Sequence, residues 1–182
     1  RDGSSKLAPD TRWGDFWSVS GSWRFSNEKF MDFAWLNDAK LRGSYGTSGT
    51  LPSSSFDWLA TYDYTFYGDK GASYPGKIAN TDLTWEKNKN WNIGLDATIF
   101  DRYTLSVEYF NRKTTDLLLD ASIPTTTGFG STLMNIGAMR NDGWELSLSI
   151  DIIKKKDWDF SFGVNWSKVN NEILALSTED EE

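Results

Sequence analysis

The chain has 182 residues, a formal net charge of −7, 15% aromatic residues including 10 Trp, and no Cys or His. This length suits one domain, and so many aromatic rings exclude a disordered tail. The acidic balance, without a basic stripe, argues against a nucleic-acid partner. Without Cys and His there is no disulfide framework, no usual zinc site and no Ser-His-Asp triad, so we expect neither a metal site nor a cofactor.

The sequence also excludes a membrane-spanning helix, because it contains no apolar run of about 18 residues. A membrane-spanning β-barrel stays possible, because alternating strands keep the mean hydropathy low, as the value of −0.53 is here. The chain begins at Arg1 without an initiator Met or an apolar signal segment. Since an outer-membrane protein must be exported, this beginning predicts an internal fragment of a longer protein.

The first half of the chain contains weak strand signals. Apolar or small residues alternate with polar ones over residues 17–23 and again over residues 40–45, with a compact connection between them. Residues 50–80 are rich in Ser, Gly, Tyr and Pro. That composition predicts a long loop.

The second half contains the strongest alternation, which predicts two hairpins. Residues 91–99 and 103–109 flank a short turn at Asp101 and Arg102, and residues 144–152 and 158–166 flank a turn at 154–157. Between the hairpins, residues 120–140 contain Pro124 and a Thr and Gly cluster, which predicts a second long loop. Apart from residues 103–109, each alternating run is about 9 to 11 residues, the length of a tilted strand that crosses a bilayer.

The connections alternate between short and long, and Trp and Tyr residues lie near the strand ends. Short periplasmic turns, long extracellular loops and interfacial aromatic girdles are typical of outer-membrane barrels. The predicted fold class is therefore all-β, an antiparallel transmembrane β-barrel segment with long extracellular loops and short periplasmic turns. A soluble carbohydrate-binding β-sandwich stays open as the alternative, because alternation by itself shows only a sheet with two different faces.

Four segments in order resemble the C-terminal barrel region of the SusC/RagA family, the TonB-dependent outer-membrane transporters of Bacteroidetes. They are residues 35–46 (WLNDAKLRGSYG), residues 83–86 with 91–96 (LTWE and WNIGLD), residues 109–118 (YFNRKTTDLL) and residues 135–145 (NIGAMRNDGWE). The resemblance implies that residues 1–182 are part of a TonB-dependent receptor β-barrel domain, without the plug domain and the last barrel strands.

The resemblance also implies a function and a location. Transporters of this family import oligosaccharide or peptide nutrients with a SusD-like surface lipoprotein, and they contact the TonB complex through an N-terminal region that this chain lacks. We therefore expect a multi-pass protein in the outer membrane of a Bacteroidetes-like Gram-negative cell, in contact with its lipid. Such a wall segment is not expected to be an enzyme.

Aromatic residues in the first long loop are the candidate substrate-binding residues. Trp58, Tyr62, Tyr64 and Tyr67 lie in this segment, and their rings can stack on the apolar face of a sugar. The alternative, which we favour, is that residues 58–67 include a barrel strand that extends above the membrane, with these rings packed against neighbouring protein or against the lid lipoprotein. Aromatic residues are more often packing residues than ligand platforms.

Three carboxylates occupy polar positions in the alternating pattern of the predicted hairpins, namely Asp96, Glu108 and Glu145. A pair of carboxylates is the machinery of a glycosidase, but a barrel interior is polar in any case, and nothing in the sequence favours a protonated acid. We therefore expect no catalytic residue. The acidic segment 178–182 is predicted to be solvated.

Overall fold

A computed structural model describes residues 1–176, and nearly all of its regular structure is β-strand. The strands are β1 (Asp2–Gly3), β2 (Trp13–Gly14), β3 (Ser18–Trp23), β4 (Leu36–Thr50), β5 (Thr61–Tyr67), β6 (Lys70–Lys77), β7 (Glu86–Ile99), β8 (Tyr103–Ser122), β9 (Ser131–Lys155) and β10 (Trp158–Ala175). Three short 3-10 turns cover Phe25–Asn27, Lys29–Met31 and Thr125–Thr127. Within residues 1–176, no helix has the length and apolar character needed to cross a membrane.

Six of these strands form one antiparallel sheet in the order β10-β9-β8-β7-β4-β3. The remaining strands pair as two small sheets, β1 with β2 and β5 with β6. The large sheet is an open segment whose edges are β3 and β10. This architecture confirms the predicted all-β antiparallel fold class.

The register of the large sheet gives it an apolar face and a polar face. Leu95 pairs with Leu41 on one side and with Val107 on the other, and Val107 pairs with Leu146, which pairs with Trp166. One residue along each strand, the paired positions are polar. Because side chains alternate across a strand, matching registers align all the apolar side chains on one face.

The short turns between β7 and β8 and between β9 and β10 lie at one end of the sheet, together with the 12-residue connection between β3 and β4. The connections of 35 and 8 residues lie at the other end. At the short-turn end, Phe100 and Asp101 adopt positive φ angles of 54° and 52° between β7 and β8, as both central residues of a type I′ hairpin turn do. The backbone N–H of Phe100 donates to the Trp35 carbonyl at 2.9 Å, which joins this turn to the connection between β3 and β4. The long-loop end carries residues 51–85 and 123–130.

The strands are longer than the alternation predicts, and the loops are correspondingly shorter. The expected length of about 9 to 11 residues is exceeded by β7, β8 and β9, which have 14, 20 and 25 residues. The second predicted loop, residues 120–140, is wrong in its bounds, because β8 continues to Ser122 and β9 begins at Ser131. The first predicted loop contains the hairpin of β5 and β6. Residues 178–182 lie outside the described part of the chain.

A small core forms at the long-loop end, where loop segments fold against the sheet. Leu7, Leu83 and Trp85 are buried together, and Phe16, Leu51, Trp58, Leu118 and Leu133 pack around them. The Asn135 side chain joins the loop to the sheet, since it accepts from the Thr84 backbone N–H at 2.9 Å and donates to the Thr84 carbonyl at 3.1 Å. This core fixes the loops relative to the extensions of β8 and β9.

Candidate functional sites on the two faces and the loops

The apolar face has an aromatic row near the long-loop end. Trp91, Tyr109 and Trp144 occupy neighbouring strands, and the Tyr109 ring centroid lies 5.3 Å from that of Trp91 and 5.0 Å from that of Trp144. Trp91 and Trp144 are 39% and 49% exposed. An exposed row of Trp and Tyr across adjacent strands is the arrangement of an interfacial girdle.

Between this row and the short-turn end, the apolar face is covered by Leu, Ile, Val and Ala side chains. Leu95 and Ile93 are 38% and 49% exposed although they lie in central strand β7. From Trp91 to Ile99, eight steps along a strand measure ~27 Å, or about 20 Å of height after a tilt near 40°. This height matches the apolar band of a membrane barrel, about 25 Å tall.

On the polar face, a charge cluster connects three strands. Arg42 of β4 forms ion pairs with Asp96 of β7, at 3.2 Å, and with Glu108 of β8. Lys40 Nζ also lies 3.2 Å from Asp96. Arg42 reaches Glu108 across Gly94, where an added Cβ would lie 2.7 Å from the Arg42 guanidinium carbon. Glycine at this position is what allows the arginine to span the intervening strand.

The three carboxylates considered for catalysis do face the same side of the sheet. Glu108 and Glu145 are directly paired in the register of β8 and β9, and Asp96 lies on β7. Two of them are held by Arg42, and Asp96 also accepts from Ser106 Oγ at 2.7 Å. In the described residues, no apolar enclosure surrounds these groups of the kind that produces a protonated general acid. Their arrangement is that of an electrostatic network.

The structure separates the four candidate loop aromatics. Tyr62, Tyr64 and Phe66 share one face of the hairpin formed by β5 and β6. On the returning strand, Ser73 pairs with Tyr64, and Gly71, which has no side chain, pairs with Phe66. Tyr64 is 87% exposed. Tyr67 lies on the other face of the hairpin, because its position differs from that of Tyr64 by an odd number of residues.

Trp58 is set apart from the hairpin, since it packs against the buried core of Leu7, Leu83 and Trp85. The Trp58 carbonyl accepts from the Asn80 backbone N–H at 3.2 Å. Trp58 thus lies where it fixes the base of the hairpin, whereas Tyr62, Tyr64 and Tyr67 project from it.

An ion pair holds the hairpin base. Lys77 Nζ lies 2.8 Å from Asp57 Oδ1, and the Ser54 backbone N–H donates to Asp57 Oδ2 at 3.0 Å. Burial acts to raise the pKa of the Asp57 carboxyl, but the hydrogen bonds from Lys77 and Ser54 outweigh it, so this pKa lies below the ordinary value. Asp57 is therefore favoured as a carboxylate.

Sequence reasoning did not identify Arg42 or Gly94 as site residues. The position of Arg42 in the alternating pattern could have identified it, because it lies on the same face as Asp96 once the strands are aligned. The alignment itself depends on the pairing of Arg42 with Gly94, 52 positions along the chain, which alternation within a single strand does not specify.

Comparison with known proteins gives one family. The family model described as TonB dependent receptor-like, beta-barrel matches residues 2–181. TonB-dependent receptor P39 of Formosa agariphila is 35% identical over 183 residues, covering 99% of this chain and 18% of that protein. TonB-dependent receptor SusC of Bacteroides thetaiotaomicron is 37% identical over 194 residues, covering 99% of this chain and 19% of that protein.

A solved structure shows the same architecture. The structure of the RagAB peptide transporter matches with a TM-score of 0.88 and 32% identity, over 97% of this chain and 20% of that chain. The chain spans about one fifth of the length of each of these relatives. The match over nearly its whole length, together with the two-faced antiparallel sheet, shows that the chain belongs to the TonB-dependent receptor β-barrel family, with relatives of the SusC and RagA type.

Proposed function

We propose that this chain is a wall segment of an outer-membrane TonB-dependent transporter that imports oligosaccharide or peptide nutrients. The observation that carries the proposal is the two-faced sheet. Its apolar face carries a girdle of Trp91, Tyr109 and Trp144, and its polar face carries the Arg42 charge cluster. Lipid outside and a polar lumen inside account for both faces, whereas a soluble β-sandwich would cover its apolar face with a second sheet.

The proposed orientation places the short-turn end in the periplasm and the long-loop end outside the cell, as in outer-membrane barrels in general. The strands then cross the outer membrane several times, in a Gram-negative cell of the Bacteroidetes type. We place the plug domain, the remaining barrel strands and the contact with the TonB complex in other parts of a longer protein, of which residues 1–182 form a partial barrel domain.

A SusD-like surface lipoprotein is the proposed partner, and the hairpin of β5 and β6 is its proposed contact. Tyr62, Tyr64 and Tyr67 are 63%, 87% and 86% exposed on a hairpin that, within residues 1–176, forms its own two-stranded sheet. A two-stranded hairpin is marginally stable alone, and exposed Tyr residues are enriched in protein interfaces. Stacking of Tyr62 and Tyr64 on a sugar ring of the cargo is the second candidate, supported by their shared face.

We propose no enzymatic role for this segment, and the transporter proposal has a direct test. The full-length protein is expected in the detergent-soluble outer-membrane fraction, resistant to unfolding in cold SDS, and co-purified with its lipoprotein. Deleting the gene is expected to abolish growth on the imported nutrient while leaving growth on free monosaccharides and amino acids intact. A protein that stays soluble without detergent and binds glycans as a monomer would overturn the proposal in favour of the sandwich.

The hairpin contact is tested within the same complex. Replacing both Tyr62 and Tyr64 with Ser is expected to weaken co-purification of the lipoprotein, because exposed aromatic side chains supply much of the binding energy in interfaces. Thr65→Ser, a change in the same strand that keeps all three Tyr side chains, is the matched control. Unchanged lipoprotein recovery combined with weaker sugar binding would favour the cargo alternative.

A further inference from the structure

The apolar face carries a row of basic side chains between the aromatic row and the long-loop end. Lys89 on β7, Lys113 on β8 and Arg140 on β9 occupy directly opposite positions in the register of the three strands. Lys89 lies an even number of residues from Leu95 along β7, and the register does not shift between them, so the two side chains share a face. These three residues, the basic row, therefore lie on the same face as the aromatic row.

The charges of the basic row are only partly balanced. Arg140 forms ion pairs with Glu172 and Asp142. In the part of the chain that the structure describes, no carboxylate oxygen lies within 4.0 Å of the amino group of Lys89 or Lys113, and both side chains are exposed. Like charges directly opposite one another in a sheet are unfavourable. An anion from outside this chain that binds Lys89 and Lys113 together would relieve the repulsion between them.

An aromatic pocket lies beside the basic row. It is an open cavity of about 220 Å³ whose lining residues include Trp13, Trp17 and Lys89. Trp13 and Trp17 are 55% and 57% exposed, so their rings are accessible to a ligand. Among the described residues that line the pocket, Asp15 is the one carboxylate, and its Oδ1 lies 3.6 Å from Arg1 Nε. Aromatic rings beside an unbalanced cation fit a sugar that bears an anionic group, because the rings pack on the apolar face of the sugar and the ammonium binds the charge.

In the proposed orientation, the basic row lies at the level of the lipid headgroups of the outer leaflet. Lys89 lies two residues beyond Trp91 along β7, and Lys113 lies four residues beyond Tyr109 along β8. These steps measure ~7 to 13 Å along the strands, or about 5 to 10 Å of height after a tilt near 40°. The aromatic row marks the edge of the hydrocarbon, and a headgroup layer is about 5 to 7 Å thick. The long side chains of Lys89 and Lys113 thus reach the polar surface of the bilayer.

Given the proposed transport function, on which this inference depends, we propose that the basic row and the aromatic pocket bind a phosphorylated glycolipid of the outer leaflet. The outer leaflet of a Gram-negative outer membrane contains such a lipid, whose phosphate groups are attached to sugar rings at the membrane surface. The β-carbons of directly opposite residues lie about 4.5 to 5.5 Å apart, so one phosphate group can bind both Lys89 and Lys113. A sugar ring packs against Trp13 and Trp17, and the acyl chains continue along the apolar face past the aromatic row.

The test uses the full-length receptor in complex with its lipoprotein, in detergent micelles, and measures lipid binding by native mass spectrometry. The probes are phosphorylated lipid A, lipid A from which the phosphate has been removed, and phosphatidylglycerol. The wild-type complex is expected to bind phosphorylated lipid A most tightly. Lys89→Gln and Lys113→Gln are each expected to weaken this binding roughly fivefold, the effect of one basic residue at an anionic membrane surface. Both variants are expected to bind dephosphorylated lipid A as the wild type does.

Arg112→Gln is the matched control, since Arg112 neighbours Lys113 in sequence and belongs to the polar face of β8. A wild-type complex that binds phosphorylated lipid A no more tightly than either of the other two lipids would overturn the inference while leaving the transport function in place. Unchanged lipid A binding in both Lys variants would also overturn it, and a loss of lipoprotein from these variants would then assign the basic row to the lipoprotein. A complex absent from the outer membrane would contradict the proposed function itself.

Discussion

Arg42 on β4 forms an ion pair with Glu108 on β8 by lying across Gly94 of the intervening strand β7. The two partners are 31% and 18% exposed at their side chains, so the pair is partly withdrawn from water. The geometry of this ion pair depends on Gly94, which lies between Arg42 and Glu108 in the sheet. A side chain at position 94 therefore competes with the guanidinium for the same volume.

We expect Gly94→Val to displace Arg42 and to cost about 1–3 kcal/mol of unfolding free energy, a value between those of exposed and buried ion pairs. Urea unfolding of the full-length receptor in lipid vesicles, followed by Trp fluorescence, measures this cost. Gly163→Val is the control, because a Cβ at Gly163 meets only the Leu148 carbonyl, at 3.9 Å. Equal stability of the two variants would show that the pair does not depend on the glycine.

The two faces of the sheet are expected to respond oppositely to a charge. Leu148 pairs with Leu105 and Val164 on the apolar face, whereas the adjacent Ser147 lies between Ser106 and Asn165 on the polar face. Leu148→Arg is expected to cost about 2–4 kcal/mol because the guanidinium would lie in lipid, and Ser147→Arg is expected to be tolerated. The same vesicle unfolding experiment compares the two variants. Similar penalties at both positions would contradict the assignment of the faces.

The alternation of residues 91–109 and 144–166 was enough to predict these faces, because hydrophobic contrast across a strand is a local property of the sequence. The alternation did not predict the parts of the strands between the aromatic row and the long loops. There both faces of the sheet are in contact with water, and the hydrophobic contrast between them disappears. The β8–β9 register also shifts between Thr114 and Leu117, and Asp116 has a φ of 56°. Such a bulge moves the alternation out of phase by a residue, so the alternation that predicts residues 103–109 does not continue to the end of β8 at Ser122.

The returning strand of the β5–β6 hairpin was hidden for a compositional reason. Tyr62, Tyr64 and Phe66 alternate with Asp63 and Thr65, but the returning strand contains Gly71, Pro75 and Gly76, which are typical of loops. Pro is tolerated here because the hairpin forms its own two-stranded sheet, where each strand has a free edge. The charge cluster was hidden for a different reason, since it depends on the pairing of three strands.

The aromatic row gives a third expectation. The Tyr109 ring contacts Trp91 on one side and Trp144 on the other. Tyr109→Leu keeps an apolar side chain against lipid but removes both ring contacts, which is expected to cost about 1–3 kcal/mol at about 0.5–1.5 kcal/mol per aromatic pair. Tyr109→Phe keeps both rings in contact and is the control. A Leu variant as stable as the Phe variant in vesicle unfolding would show that the row acts only through its apolar surface.

The base of the hairpin is expected to loosen in acid. The pKa of Asp57 is lower in the folded protein than in the unfolded chain, so its stabilising contribution is complete above the ordinary carboxyl pKa of about 3.9 and is lost as the pH falls through the lower folded value. Hydrogen exchange of residues 57–77 in the full-length receptor, corrected for the intrinsic pH dependence of exchange, is expected to accelerate below about pH 4.

Asp57→Asn is expected to remove this acid step and to raise exchange at neutral pH, because the amide cannot form the ion pair with Lys77. Asp69→Asn is the control, since Asp69 is exposed in the hairpin turn and no Lys or Arg of residues 1–176 lies within ion-pairing distance of it. It is expected to keep the wild-type acid step. An acid step that survives in Asp57→Asn would mean that another carboxylate controls the hairpin, and the ion pair with Lys77 would then not be what fixes its base.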